Sequence, residues 1–229
     1  MFTLSSELID AYRHLDTGAV SNAIETFGVR LRNEGFTNGG LRAAFDDLPP
    51  VVGHAVTARI RSSTPPPVGD GYHDRTDWWT YILTLPDPRI VVVQDVDDKP
   101  GLGAFVGEVH ANILAALGCV AYVTNGSVRD LPHVHGIGFQ LFAPTVSVSH
   151  AFVHMIDFGG DVEICGLKIG SGDLLYGDAH GVLSIPPAIA ADVPAVAQKM
   201  RKQEHEVIQL CQSSDFSLDK LRAMVKELA

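Results

Sequence analysis

Cysteine is scarce in this chain of 229 residues. The three present, Cys119, Cys165 and Cys211, are odd in number, far apart and outside any CxxC spacing. That excludes a disulfide framework and a zinc knuckle, and it fits a reducing, cytoplasmic setting. Positive charge is short as well: seventeen Lys and Arg face twenty-seven Asp and Glu, a formal net charge of −10. A nucleic-acid footprint needs clustered Lys and Arg, and an anionic membrane surface attracts basic segments. Neither partner is expected. Long apolar runs are missing too. Stretches such as Ile90–Val93 are strand-sized, against the roughly 20 residues that span a bilayer. Glu7 and Asp10 arrive too early for a signal-peptide pattern. With 46% hydrophobic and only 19% charged residues, the chain can bury a substantial core and does not read as a disordered tail.

The pattern that is present mixes helical and strand periods. Ser5 or Ser6 can cap a first helix, and Asp16 a second, in which Val20, Ala23, Ile24 and Phe27 recur until Gly28. Val51–Ile60 alternates like a half-buried strand. A proline-rich loop follows, then a short helix over Asp77–Leu85 and a buried strand at RIVVVQDV. Phe105–Leu117 reads as a helix ending at Gly118, CVAYVT (119–124) as a strand, NGSVRD (125–130) as a turn and GFQLFA (138–143) as a strand. Short strands VEICGLKI, DLLYGD and GVLSIP come next. Pro187 suits the start of a long helix running to about Gln212, with Pro194 an irregularity in it, and Ser217 caps a final helix. Strands and helices interspersed in this way predict a mixed α/β fold. No linker or repeat divides residues 1–229, so one domain is expected, with C-terminal helices over about 187–229.

Several constellations could carry chemistry. GLGAFVG (101–107) looks like a nucleotide loop, but its spacing is GxGxxxG and DVDDKP separates it from the preceding strand. A phosphate cradle needs the turn directly after the strand. A loop entering a helix is the simpler reading. His133-Val-His135 and His150-x3-His154 have metal-compatible spacings. No carboxylate fills an HExxH position, so a zinc-protease reading fails and structural or surface histidines are favoured. His73 and Asp74, beside Trp78 and Trp79, read equally as a substrate-side loop or as packing. Gly107-Glu108 and Arg129-Asp130 are sharper, because the twenty residues between Glu108 and Arg129 read as one helix and one strand. With Glu108 at the helix start and Arg129-Asp130 at the turn leaving the strand, all three converge at one sheet end. The amides of Val109 and His110 would point there too. Taken alone, Arg129-Asp130 reads first as a surface ion pair worth little.

TGAVSNAIE (17–25), VVGHAVTARI (51–60), the GE-x20-RD spacing and GDLLYGDAHGVLSIP (172–186) together change that balance. The chain resembles the 4-hydroxy-4-methyl-2-oxoglutarate aldolase family, also called RraA-like after members that regulate ribonuclease E. The resemblance covers nearly the whole chain. It implies a mixed sheet sandwich with a swivelling β/β/α-type core, forming trimers or hexamers with active sites between subunits. It further implies a metal-dependent lyase that cleaves a 4-hydroxy-2-oxo acid to pyruvate, with oxaloacetate decarboxylation as a side activity. By that analogy Asp130 would ligate Mg²⁺ or Mn²⁺ and Arg129 would bind the keto oxygen of pyruvate or its enolate. Gly107, Glu108, Val109 and His110 would hold the substrate carboxylate through backbone amides. Glu108 would order metal-bound water or act as acid/base. The resemblance equally admits a noncatalytic regulator that binds an RNA-processing enzyme by contact. Three positions depart from the family's usual pattern: Glu108, often Asp; Asn125, where the DGxxRD motif has Asp; and Asn22, often Asp.

The chemistry needs such a site. Cleaving a C–C bond beside a 2-oxo group leaves an enolate, which Lewis-acid polarisation and a fixed cation stabilise. The alternative, a Schiff base, needs a desolvated lysine, and only Lys168 is a strand candidate. A metal route is easier to build.

Overall fold

The computed structural model describes residues 2–66 and 75–228. His73 and Asp74 lie outside the described residues, so the reading of that loop stops there. Two helices open the chain, α1 (Ser6–Arg13) and α2 (Thr17–Thr26). Ser5 Oγ accepts from Leu8 N at 3.2 Å and Asp16 Oδ1 from Ala19 N at 2.8 Å, which satisfies amides that a helix start leaves without partners.

The main sheet is built from β1 (Arg42–Ala43), β2 (Val51–Arg61), β3 (Arg89–Asp95), β5 (Cys119–Thr124), β7 (Gln140–Ala143), β9 (His154–Phe158), β12 (Leu174–Asp178) and β13 (Gly181–Ile185). Its order is β1-β7-β5-β3-β2-β12-β13, with β9 also paired to β2. The strands β7, β5, β3 and β2 run parallel. The eleven residues of β2 let its outer edge serve two neighbours, β12 along Val51–His54 and β9 along Ala58–Arg61.

That central position corrects the half-buried reading of β2. Residues from Val52 to Ala58 are all buried, Val51 is half-buried, and Arg59 and Arg61 are exposed. Both faces are covered, as parallel sheets require. On one face α3 (Arg75–Ile82) and α4 (Glu108–Ala116) press Trp78, Ile82, Ala111 and Leu114 against Val56, Val91, Val93 and Tyr122. On the other, the hairpin of β10 (Val162–Ile164) and β11 (Leu167–Ile169) covers Ala55, Val92 and Val123. A third cluster joins α1, α2 and α6 (Val193–Gln212) to β12 and β13. There the buried hydroxyls of Tyr12 and Tyr176 donate to Ala190 O at 2.7 Å and Leu15 O at 2.8 Å.

One further boundary differs from expectation. Pro187 lies in a turn, and α6 begins at Val193 with Pro194 in its first turn, where no intrahelical partner for its missing N–H exists. The final helix, α7 (Leu218–Leu228), starts as expected, with Ser217 Oγ accepting from Lys220 N at 3.3 Å.

A small second sheet positions the candidate site. It consists of β4 (Ala104–Val106), β6 (Ser127–Val128) and β8 (Thr145–Val146), all parallel, in the order β4-β6-β8. Phe105 and Val106, expected in a helix, therefore belong to a strand. Gly107 is the N-cap and the helix begins at Glu108. Likewise the expected turn over residues 125–130 contains β6, and a short helix, α5 (Leu131–Gly136), follows it.

Candidate active site

Because β4, β6 and β8 are parallel, their C-terminal exits lie at one end of the sheet. The exit of β4 is Gly107-Glu108, that of β6 is Arg129-Asp130, and that of β8 is the segment running to His150. All three line one cleft of about 530 Å³, with Val109, His110, Ile113 and Trp79 on its wall and Ala151, Phe152 and Val153 opposing them in sequence. Carboxyl ends of parallel strands are where open α/β sheets bind ligands.

Asp130 sits in the left-handed region at φ 57° and caps α5 without a side-chain hydrogen bond to it. Its carboxylate turns to α4 instead: Oδ2 accepts from Glu108 N at 3.0 Å and lies 3.6 Å from Arg129 Nε. Oδ1 receives no hydrogen bond among the described residues. Arg129 is anchored through its backbone, N donating to Val106 O at 3.2 Å. No hydrogen bond holds its guanidinium among the described residues, and its side chain is 34% exposed on the cleft. Gly107 makes the close approach possible. A Cβ there would collide with the Asp130 carboxylate and stand 2.9 Å from Arg129 Nε.

His110 is placed differently from Glu108. It is buried, its Nδ1 lies 3.1 Å from Phe105 O, and its ring packs edge-on against Trp78 and tilted against Phe105. Its side chain is thus part of the wall's packing, while its backbone belongs to the first turn of α4. Glu108 is exposed at the helix start, so the six residues expected at the site (Gly107, Glu108, Val109, His110, Arg129 and Asp130) do come together.

Behind the cleft, Asp95 ties the supporting loops. Its carboxylate accepts from Gly101 N at 2.9 Å, Asp97 N at 3.1 Å and Ser62 Oγ at 3.3 Å. Asn125 reaches the same residue's backbone, Oδ1 accepting from Asp95 N at 2.7 Å and Nδ2 donating to Asp95 O at 2.9 Å. Burial pushes the Asp95 carboxyl above its ordinary value, against the opposing pull of the Gly101 and Asp97 amides. The loop into β4 and the turn into β6 are thereby fixed to one point.

The remaining histidine readings resolve separately. His135 Nε2 sits 2.8 Å from Asp47 Oδ2, and buried His154 faces Phe152 O at 2.8 Å through Nδ1. Among the described residues no three His, Cys, Asp or Glu gather as a metal cluster. His150 lines the cleft, a placement its x3 spacing to His154 did not announce.

The fold and these exits meet one known pattern: the family described as RraA-like, Aldolase/RraA, matches residues 6–184. The chain belongs to the RraA-like family. Among its relatives, an uncharacterised protein of Methanocaldococcus jannaschii is 21% identical over 171 residues, 73% of this chain and 76% of that one. An uncharacterised protein from Pseudomonas syringae pv. tomato shares the fold with a TM-score of 0.73 at 21% identity, over 96% of this chain and 95% of that one. RraAS2 of Streptomyces coelicolor, described as an unusual member of the RNase ES inhibitor RraA protein family, superposes with a TM-score of 0.68 at 18% identity, over 90% and 97%. These neighbours share the RraA-like α/β architecture with its mixed sheet. Residues 185–229, with α6 and α7, lie beyond the family match. No helix among the described residues is long and apolar enough to cross a membrane.

Proposed function

We propose that this RraA-like chain is a divalent-metal-dependent lyase that cleaves a 4-hydroxy-2-oxo acid, of the 4-hydroxy-4-methyl-2-oxoglutarate type, to pyruvate, and decarboxylates oxaloacetate as a side reaction. The convergence of Arg129, Asp130 and the first turn of α4 in one cleft carries this reading. The Arg129 guanidinium, paired with Asp130 at 3.6 Å and without a hydrogen bond among the described residues, is available to the 2-oxo oxygen as negative charge develops there. The N-terminal end of α4, whose first turn faces the cleft, suits the substrate carboxylate.

The residues fit a hard cation such as Mg²⁺ or Mn²⁺. Asp130 keeps Oδ1 unengaged while Oδ2 is fixed by the Glu108 amide, and Glu108 can order coordinated water. Mg²⁺ requires only one or two protein carboxylates because it retains several waters. When bound, the cation supplies Lewis-acid polarisation of the 2-oxo group. Arg129 and the α4 amides orient the substrate, and Asp130 holds its place through Glu108 N.

The test is pyruvate release from the purified protein given 4-hydroxy-4-methyl-2-oxoglutarate or oxaloacetate, with Mg²⁺ and with a chelator. Turnover should require the cation and fall about 10²–10³-fold in Arg129→Ala, as for loss of an oxyanion donor, and in Asp130→Ala. No pyruvate release under any of these conditions would overturn the lyase reading, and the rival, an RraA-like regulator that acts by contact, would then be tested by binding.

A further inference from the structure

The third exit of the small parallel sheet has no assigned role. It carries the segment from Ser147 to Val153, which is pinned rather than loose. Ser147 Oγ donates to Leu102 O at 3.0 Å, Ala104 N donates to Ser149 O at 2.9 Å, and Phe152 N donates to Ser62 O at 3.2 Å. Gly103 lies so close beneath that a Cβ would collide with His150 O. Ala151 is held at φ 46°, a left-handed conformation that costs an alanine roughly 1 kcal/mol or more. Strain of this kind persists only where surrounding contacts over-determine it.

The strained residue sets the chemistry of its neighbour. His150 Nδ1 lies 2.7 Å from Ala151 O. A carbonyl only accepts, so Nδ1 carries the hydrogen and, in the neutral ring, Nε2 carries the lone pair. A histidine lining the cleft is therefore held in the tautomer of a base. We propose that His150 is the general base that takes the proton of the substrate's C4 hydroxyl during aldol cleavage.

This assignment rests on the lyase reading above. His150 Nε2 accepts the hydroxyl proton, and the O–H pair becomes the C4 carbonyl. The C3–C4 bond breaks, and its electron pair enters the C2–C3 enolate with charge on the C2 oxygen beside Arg129. The imidazolium or water then returns a proton to C3, giving pyruvate. Two other groups in the cleft suit the step less well. His110 is buried with its ring packed on Trp78 and Phe105. Glu108 offers a carboxylate, which is a weaker base toward an alcohol than an imidazole.

The two proposed reactions separate this role from the rest of the site. Oxaloacetate loses carbon dioxide to reach the same enolate without any hydroxyl deprotonation. His150→Gln and His150→Ala should lower kcat for 4-hydroxy-4-methyl-2-oxoglutarate so that the ratio of cleavage to decarboxylation falls about 100-fold, the range of general-base catalysis. Added imidazole should restore part of the cleavage in His150→Ala. An unchanged ratio in both variants, with no imidazole rescue, overturns the assignment while leaving the lyase reading intact. A wild-type protein that converts neither substrate overturns both.

Discussion

At Gly107 the absence of a side chain matters more than backbone freedom. Its φ of −136° and ψ of −164° are open to any residue, so alanine meets no conformational barrier there. The obstacle is spatial: a Cβ would enter the Asp130 carboxylate and crowd Arg129 Nε at 2.9 Å and Cγ at 3.1 Å. Both neighbours carry exposed ends on the cleft, so they can move aside without disturbing the core. Gly107→Ala should therefore cost activity rather than stability. The expected outcome is a fall of about 10²-fold in kcat/KM, the effect of roughly 1 Å of misplacement. The Tm should stay close to wild type, which thermal unfolding checks. A large drop in Tm with proportionate loss of activity would contradict this account.

Among elements, the turn from β5 to β6 shows how the support is specified. Asn125 mimics a backbone pair, with one acceptor and one donor facing Asp95 N and O. An aspartate there keeps the acceptor but sets a carboxylate oxygen against Asp95 O, near a carboxyl that burial already pushes up. Asn125→Asp should lower stability by about 1–3 kcal/mol, the range for leaving a buried polar group unsatisfied. For a chain of this length that is several degrees in Tm, measurable by calorimetry. Asn125 stands where the resembling family usually has Asp, and Asp95 supplies a reason for the amide. Such local chemistry was legible in part. The caps at Ser5 and Asp16 and the stop at Gly118 (φ 76°) act within a few residues, so a linear reading finds them. The strands β4, β6 and β8 span two or three residues each, too short for any period to show. They exist because distant segments pair in parallel, and that is why Phe105 and Val106 read as helix. The GE-x20-RD convergence survived this error, since both motifs sit at strand exits. His150 did not emerge, because its role depends on the positive φ of Ala151, which an alanine gives no sign of.

For the whole molecule, a net charge of −10 would repel a dianionic oxo acid at long range. On the proposed lyase reading the attraction is local, from Arg129, the α4 start and the proposed cation. Enclosing the cleft would strengthen each of these by excluding water. The surface around it is suited to being covered. Val109 and Phe152 line the cleft at 74% and 55% exposure, and Val148, on the segment leading to His150, is fully exposed. Leu102 and Val146 nearby are exposed as well. Monomeric proteins rarely leave apolar side chains gathered in this way. From Arg201 onward, moreover, no described residue of α6 or α7 is buried, although helices draw most of their stability from packing. Both features would fit subunit contacts beside the cleft, as in the trimer or hexamer that the family resemblance implies. Light scattering should accordingly give three or six times the 24.6 kDa chain mass. Val148→Glu places a charge in this rim, where desolvation on association would oppose it. It should shift the mass toward the monomer and reduce pyruvate release in parallel, with the far-ultraviolet circular dichroism unchanged. Full activity from a monomeric wild-type chain would show that the cleft is complete within one subunit.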